Sequence, residues 1–168
     1  MKKKQTVNLS MTTDYQKSTG DPLPYLQRIA AAGFTHIHWC HQWCTDFLYS
    51  RWEIEQIADW LQALGLQLLD LHGSVGPEKN WGSLKEYERC AGVELVRNRL
   101  EMTARLGGDA VVMHLPWPLD WDVMRCTFDE LQPVATALGV KIALENGDFN
   151  DIARVFGAYD GAYIGLCY

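Results

Sequence analysis

Nothing in this chain is long and apolar enough to suggest a bilayer span; no apolar run approaches the roughly 20 residues such a helix needs. Its one basic run, Lys2-Lys3-Lys4, leads into Val7-Asn8-Leu9-Ser10 without the apolar stretch of a secretory signal. Positive charge is scarce too. Fifteen Lys and Arg stand against 21 Asp and Glu, a net charge of -6, where nucleic-acid binders usually carry a basic excess. The expectations are a cytoplasmic protein with no nucleic-acid partner and no membrane partner.

Glycine is missing where nucleotide folds need it. Asn8 to Asp14 holds none, so no phosphate-cradling fingerprint follows the first strand. The cysteines do not make a disulfide framework. There are five, an odd number, and Cys40, Cys90, Cys126 and Cys167 fall inside expected elements, as reduced thiols do. Cys40-His41-Gln42-Trp43-Cys44 resembles half of a zinc site, but no second Cys/His pair with finger-like spacing follows, and no structural zinc is expected there.

What the chain does have is a regular alternation of strand and helix. Strands are expected at Val7 to Met11, Thr35 to Cys40, Gln67 to His72, Ala110 to His114, Val140 to Gly147 and Tyr163 to Cys167. Between them, Asp21-Pro22 opens a helix that closes at Gly33, and Ser50-Arg51-Trp52-Glu53 is a capping box for a helix ended by Gly65. Ser83-Leu84-Lys85-Glu86 reads as a second capping box, for a long helix ending at Gly107-Gly108. Asp122 to Leu138 is helical with a bend at Pro133, and Asn150 to Phe156 is a short helix. Six strands and five helices in alternation mean parallel strands joined by right-handed crossovers, an α/β fold. At 168 residues, the whole chain is expected to be one domain.

Parity along the strands favours a barrel. Counting by twos from the strand ends puts His72, Asp70 and Leu68 on one face, with His114, Val112 and Ala110, Glu145, Ala143 and Lys141, Cys40, His38 and His36, and Cys167 and Gly165. The other face takes Leu69 and Leu71, Val111 and Met113, Ile142 and Leu144, Ile37 and Trp39, and Ile164 and Leu166. A flat sheet covered on both sides would be apolar on both faces. A barrel needs an apolar outer face for its helices, and its interior can carry polar groups at the mouth. Three strands end in a ligand-type side chain, at His72, His114 and Glu145, and a carboxylate at the end of an apolar strand is costly without a partner. One shared site is expected.

His72-Gly73-Ser74, His114-Leu115-Pro116 and Leu144-Glu145-Asn146, in that order and spacing, resemble the xylose-isomerase-like TIM-barrel superfamily. Ala137-Leu138-Gly139-Val140 and Gly165-Leu166-Cys167-Tyr168 are similar to its isomerase and epimerase branch. The resemblance implies a barrel that normally has eight strands in about 250 residues, so this chain is expected to be a partial barrel cut after strand six. In the family the sixth strand continues into a metal-binding aspartate, which would come just after Tyr168. The family's histidine and glutamate on strands seven and eight would also be absent.

The implied function is metal-dependent isomerisation or epimerisation of a sugar, sugar phosphate or polyol. The implied metal ligands are Glu145, His114 and His72, with Mn, Mg, Co or Zn as the ion, and Glu145 is also the implied catalytic residue. His72 and His114 are also implied substrate contacts, and the residues themselves add His38, which points inward by parity, Asn146, which could orient Glu145 or bind a hydroxyl, and Trp117. Asp70 is expected behind His72, and His36 as a core hydrogen-bonding residue. Trp117 and Trp81 lie in loops after strands, where sugars stack on rings, whereas Trp52 and Trp60 sit in helices as packing. With at most three ligand groups, the isolated chain is expected to bind metal weakly and turn over little or nothing.

Each residue also has a structural reading: a buried pair for Glu145, satisfied barrel histidines, a turn for Asn146 and surface packing for the tryptophans. Alternative functions are an apurinic-site endonuclease, a non-catalytic half-barrel that homo-oligomerises through its open strand edges, and a doubly wound binding protein.

Overall fold

The structure is a computed structural model that describes residues 9–43, 48–73 and 80–168. Lys2-Lys3-Lys4, the first two residues of the expected first strand, Cys44 and Ser74 lie outside the described residues.

The alternation is realised in full. In chain order the elements are β1 (Ser10–Thr12), α1 (Leu23–Ala31), β2 (His36–Trp39), α2 (Arg51–Leu64), β3 (Gln67–His72) and α3 (Glu86–Arg105). They continue with β4 (Ala110–His114), α4 (Trp121–Leu138), β5 (Lys141–Asn146), α5 (Phe149–Ala158) and β6 (Ile164–Leu166). The strands form one parallel sheet in the order β1-β2-β3-β4-β5-β6. Each neighbour in sequence is the neighbour in space, as a winding barrel wall requires and as a doubly wound sheet does not.

Helix ends follow local chemistry. Ser50 Oγ accepts from Glu53 N at 3.2 Å, and Glu53 Oε2 accepts from Ser50 N at 2.7 Å, which completes the first capping box. Gly65 and Gly139 close α2 and α4 in the left-handed conformation, which residues with a Cβ seldom adopt. Two starts differ from expectation. Pro22 rather than Asp21 is the N-cap of α1, and Asp21 Oδ1 instead accepts from Leu23 N. The box at Ser83 and Glu86 does not form. Lys85 is the N-cap of α3, because the Ser83 hydroxyl is already engaged, donating to Glu88 Oε2 at 2.6 Å and accepting from Lys85 N. Pro133 sits inside α4 without ending it.

The core lies between one sheet face and the helices. Leu26 and Ile29 of α1 and Ile57 and Leu61 of α2 are buried with Ile37, Trp39 and Leu71. Val96 and Leu100 of α3 and Phe128 and Leu131 of α4 are buried with Val111, Met113, Ile142 and Leu144. The opposite sheet face is more open and polar: His36, His38, Asp70, His72 and His114 are half-buried, and Glu145 is exposed.

Parity slips at one pair. Leu68 is buried and Leu69 is 42% exposed, the reverse of strict alternation. The register explains it: Ile37 opposes Leu68 while His38 opposes Asp70, so Leu69 has no partner and the chain bulges there. A second irregularity lies between β4 and β5. Met113 opposes Leu144, but His114 opposes Asn146, leaving Glu145 as the extra residue.

Candidate metal centre

In parallel strands all C-terminal ends share one edge, so β3, β4 and β5 deliver their last side chains to the same rim. The irregularity beside Glu145 bends the end of β5 at that point, and bulges of this kind re-aim side chains. His114 Nε2 lies 2.7 Å from Glu145 Oε2 and 3.2 Å from His72 Nε2, and His72 Nε2 lies 3.6 Å from Glu145 Oε2. One ligand atom from each residue falls within 4.8 Å of the other two. The histidine rings meet edge to face, with centroids 4.9 Å apart.

The hydrogen bonds decide what these atoms can do. His72 Nδ1 is 2.8 Å from Gly73 O, a carbonyl that can only accept, so Nδ1 carries the proton. In the neutral ring Nε2 then points a lone pair at the cluster. An imidazole tied through one nitrogen to a carbonyl is the usual support for a metal-binding histidine. Asn146 Nδ2 lies 3.1 Å from His114 Nε2 and 3.5 Å from Glu145 Oε2. Trp81 Nε1 donates to His114 O at 3.1 Å and anchors the strand end from behind.

Glu145's carboxyl is held below the usual carboxylate range, first by its hydrogen bond to His114, with partial burial opposing and the charges of His114 and His72 assisting. Two imidazole nitrogens and a carboxylate oxygen at these separations can share either a proton or a metal cation. Mixed nitrogen and oxygen donors suit Mn²⁺, Co²⁺ or Zn²⁺, and Mg²⁺ through the oxygen. The residues present therefore fit a divalent ion.

The neighbouring positions divide. His38 stands edge to face with His72, with ring centroids 5.9 Å apart, on the same face as the cluster. Its Nδ1 is 2.6 Å from Asp70 Oδ1. Asp70 thus supports His38, not His72 as expected, because the β2/β3 bulge places it opposite His38. His36 is half-buried at the other end of β2 and contacts the Thr35 hydroxyl at 2.8 Å, so it is not a core residue. Trp117, in the loop after β4, is 83% exposed. Trp81 is no sugar platform: it is 3% exposed, and its ring packs edge to face on Phe128 at 5.3 Å. Trp52 is 59% exposed, though its ring leans on Trp43 at 5.2 Å, and Trp60 meets Trp43 at 4.8 Å.

Sequence reasoning missed Arg99. It is 4% exposed and lines a cavity of about 240 Å³ that His72 also lines. The available signal was a cation at helical spacing among Val96, Leu100 and Met102.

Residues 26–168 match the family described as "Xylose isomerase-like TIM barrel". The chain belongs to that family. A curated relative, "Uncharacterized protein y4fM" of Sinorhizobium fredii (strain NBRC 101917 / NGR234), is 28% identical over 85% of this chain and 58% of its own length. Among solved structures, a D-tagatose 3-epimerase-like protein superposes with a TM-score of 0.73 at 18% identity, covering 95% of this chain and 64% of that one. D-psicose 3-epimerase, solved in the presence of D-fructose, gives 0.62 at 19% identity over 83% and 52%. A xylose isomerase domain protein from Planctomyces limnophilus gives 0.70 at 13% identity over 95% and 62%. The chain spans about half to two thirds of these proteins, and the likeness at such identities establishes the fold: part of a TIM barrel. Among the described residues no helix is long and apolar enough to cross a membrane.

Proposed function

We propose that His72, His114 and Glu145 hold a divalent metal ion serving the isomerisation or epimerisation of a sugar or sugar phosphate. The observation that carries this reading is the convergence of the three ligand atoms within 4.8 Å at the ends of adjacent parallel strands. The sugar epimerases among the structural neighbours support the substrate class.

Held by His72, His114 and Glu145, a divalent ion would polarise a substrate carbonyl and the adjacent hydroxyl, easing loss of the proton on the carbon that bears that hydroxyl. Glu145 is the ligand whose carboxylate can also take that proton; its hydrogen bond from His114 favours the ionised form. Asn146 offers an amide to a substrate hydroxyl beside the ligands. His38, with Nδ1 fixed by Asp70, presents its other nitrogen as a second polar contact. Trp117 supplies an exposed ring for the apolar face of a sugar.

Three donors make a sparse set, so weak metal affinity and little turnover are proposed for these 168 residues by themselves. Self-association through β1 and β6, the edges of the sheet among the described residues, is proposed to accompany it. Sedimentation showing only monomer would count against that assembly.

The test of function is metal-dependent ketose binding by calorimetry. A ketose should bind the Mn²⁺- or Co²⁺-loaded chain and fail to bind after chelation. Metal uptake with no ketose binding, or ketose binding indifferent to metal, overturns the reading.

A further inference from the structure

Beside the candidate centre, the loops after β4 and β5 carry two large aromatic side chains that the rest of the chain leaves uncovered. Trp117 is 83% exposed and Phe149 is 86% exposed. Their positions match. His114 and Asn146 oppose each other at the ends of their strands, and Trp117 and Phe149 each stand three residues further on. The pairing runs one residue past the sheet, where Leu115 N donates to Asn146 O at 2.9 Å. There the loops run so close that a Cβ on Gly147 would lie 2.9 Å from Leu115 Cβ. Both rings therefore leave the rim side by side, from the strand ends that hold His114 and Glu145. Three residues of extended chain span up to about 10 Å. The rings stand outward of the ligands, where the next unit of a longer sugar would lie.

The surroundings select the occupant. Residues 114–124 and 144–153 contain no Lys or Arg, and Asp120, Asp122 and Asp148 are exposed among them. Arg154, the next cation along α5, lies over the Trp121 ring, 4.2 Å from its centroid. Capping of α4 and α5 engages one carboxylate oxygen each of Asp120 and Asp148. Carboxylates accept hydrogen bonds and do not donate, so they suit hydroxyl groups and repel an anion. Uncovered rings among such acceptors fit a neutral sugar ring, with its C–H face on the aromatics and its hydroxyls toward the carboxylates.

We propose that Trp117 and Phe149 form a subsite for a second sugar unit, so that the substrate of the candidate centre is a glycosyl ketose and not a free monosaccharide. The inference rests on the proposed function for the reacting end of the substrate. The stacking contact is independent of it.

The experiment is calorimetric titration of the full 168-residue chain, loaded with Mn²⁺, with fructose and with its 4-O- and 6-O-glycosylated forms, lactulose and isomaltulose. At least one glycosyl ketose should bind about tenfold or more tighter than fructose. Phe149→Ala should cut that preference to about threefold or less. Phe149 is the first residue of α5 and largely exposed, so its truncation opens no core. A second arm works without metal. With chelator present, methyl β-glucoside, which has no carbonyl to isomerise, should shift the Trp117 indole N–H resonance, and less so in Phe149→Ala.

The indole shift without any ketose binding would sink the metal reading and leave the stacking site standing. Equal affinity for fructose and both glycosyl ketoses overturns the proposal, and so does an indole signal indifferent to the glucoside. A Phe149→Ala chain that keeps the full preference also overturns it. So does one whose only change is a lower sedimenting mass, which would make a second copy of the chain the occupant of these rings.

Discussion

His114 Nε2 and Glu145 Oε2 lie 2.7 Å apart although the two residues do not face each other in the ladder, where His114 opposes Asn146. The contact exists because β5 carries one residue more than β4 at its end. That residue is the carboxylate, and the bend it creates turns it across to the neighbouring strand. The candidate centre is thus a consequence of backbone register as much as of side-chain identity, and variants that move the strand ends should disturb it.

Gly92 tests the support behind that rim. A Cβ at Gly92 would lie 2.6 Å from the backbone N and Cα of Trp81, and backbone cannot rotate aside as a side chain can. Gly92→Ala should destabilise the protein by about 1–3 kcal/mol. Because Trp81 Nε1 holds His114 O, it should also perturb the His114 ring signals. Urea unfolding and imidazole NMR read the two effects. Unchanged stability would mean that α3 and the Trp81 loop are not in close contact.

The capping box of α2 has a simpler readout. Ser50→Ala leaves the Glu53 amide without its side-chain acceptor at a helix start, at a cost of about 1 kcal/mol. Ser50→Asp should recover most of it. Denaturant midpoints of the three proteins check the order.

Acid sensitivity should trace in part to Glu86. Its carboxyl is pulled down to about 2, chiefly by hydrogen bonds from Arg89. The unfolded value is about 4.3. A folded value below the unfolded one means that the stabilisation is fully present above about pH 4.3 and is lost as pH falls through the folded value near 2. Glu86→Gln should flatten the stability profile in that window. Glu86 itself is solvent-exposed, although Arg89 is buried, so the change at neutral pH should be small. An identical acid limb in the variant would remove Glu86 from the explanation.

Most of the architecture could be read from residue order alone. β3 and β4 begin and end where their apolar runs do, and the ligand-type residues closing β3, β4 and β5 do meet. Three features were not legible, for physical reasons. The Leu68/Leu69 exchange arises from a bulge, and strict alternation has no way to announce an extra residue. The partner of Asp70 depended on that same bulge. Ser83 reads as a cap by spacing, but its hydroxyl is taken by Glu88, five residues on, which a four-residue motif does not see. Arg99 shows a further limit: a cation at helical spacing among Val96, Leu100 and Met102 is visible as an anomaly, and the cavity it lines only appears when α3 packs beside β2 and β3.

The central claim is that three side chains from three strands share one ion, and it is tested most directly by calorimetric Mn²⁺ or Co²⁺ binding at neutral pH. The account predicts one ion per chain for the native sequence, and affinity about tenfold or more weaker in each of His72→Ala, His114→Ala and Glu145→Gln. Native-like affinity in all three variants, or no binding by the native chain, would contradict it.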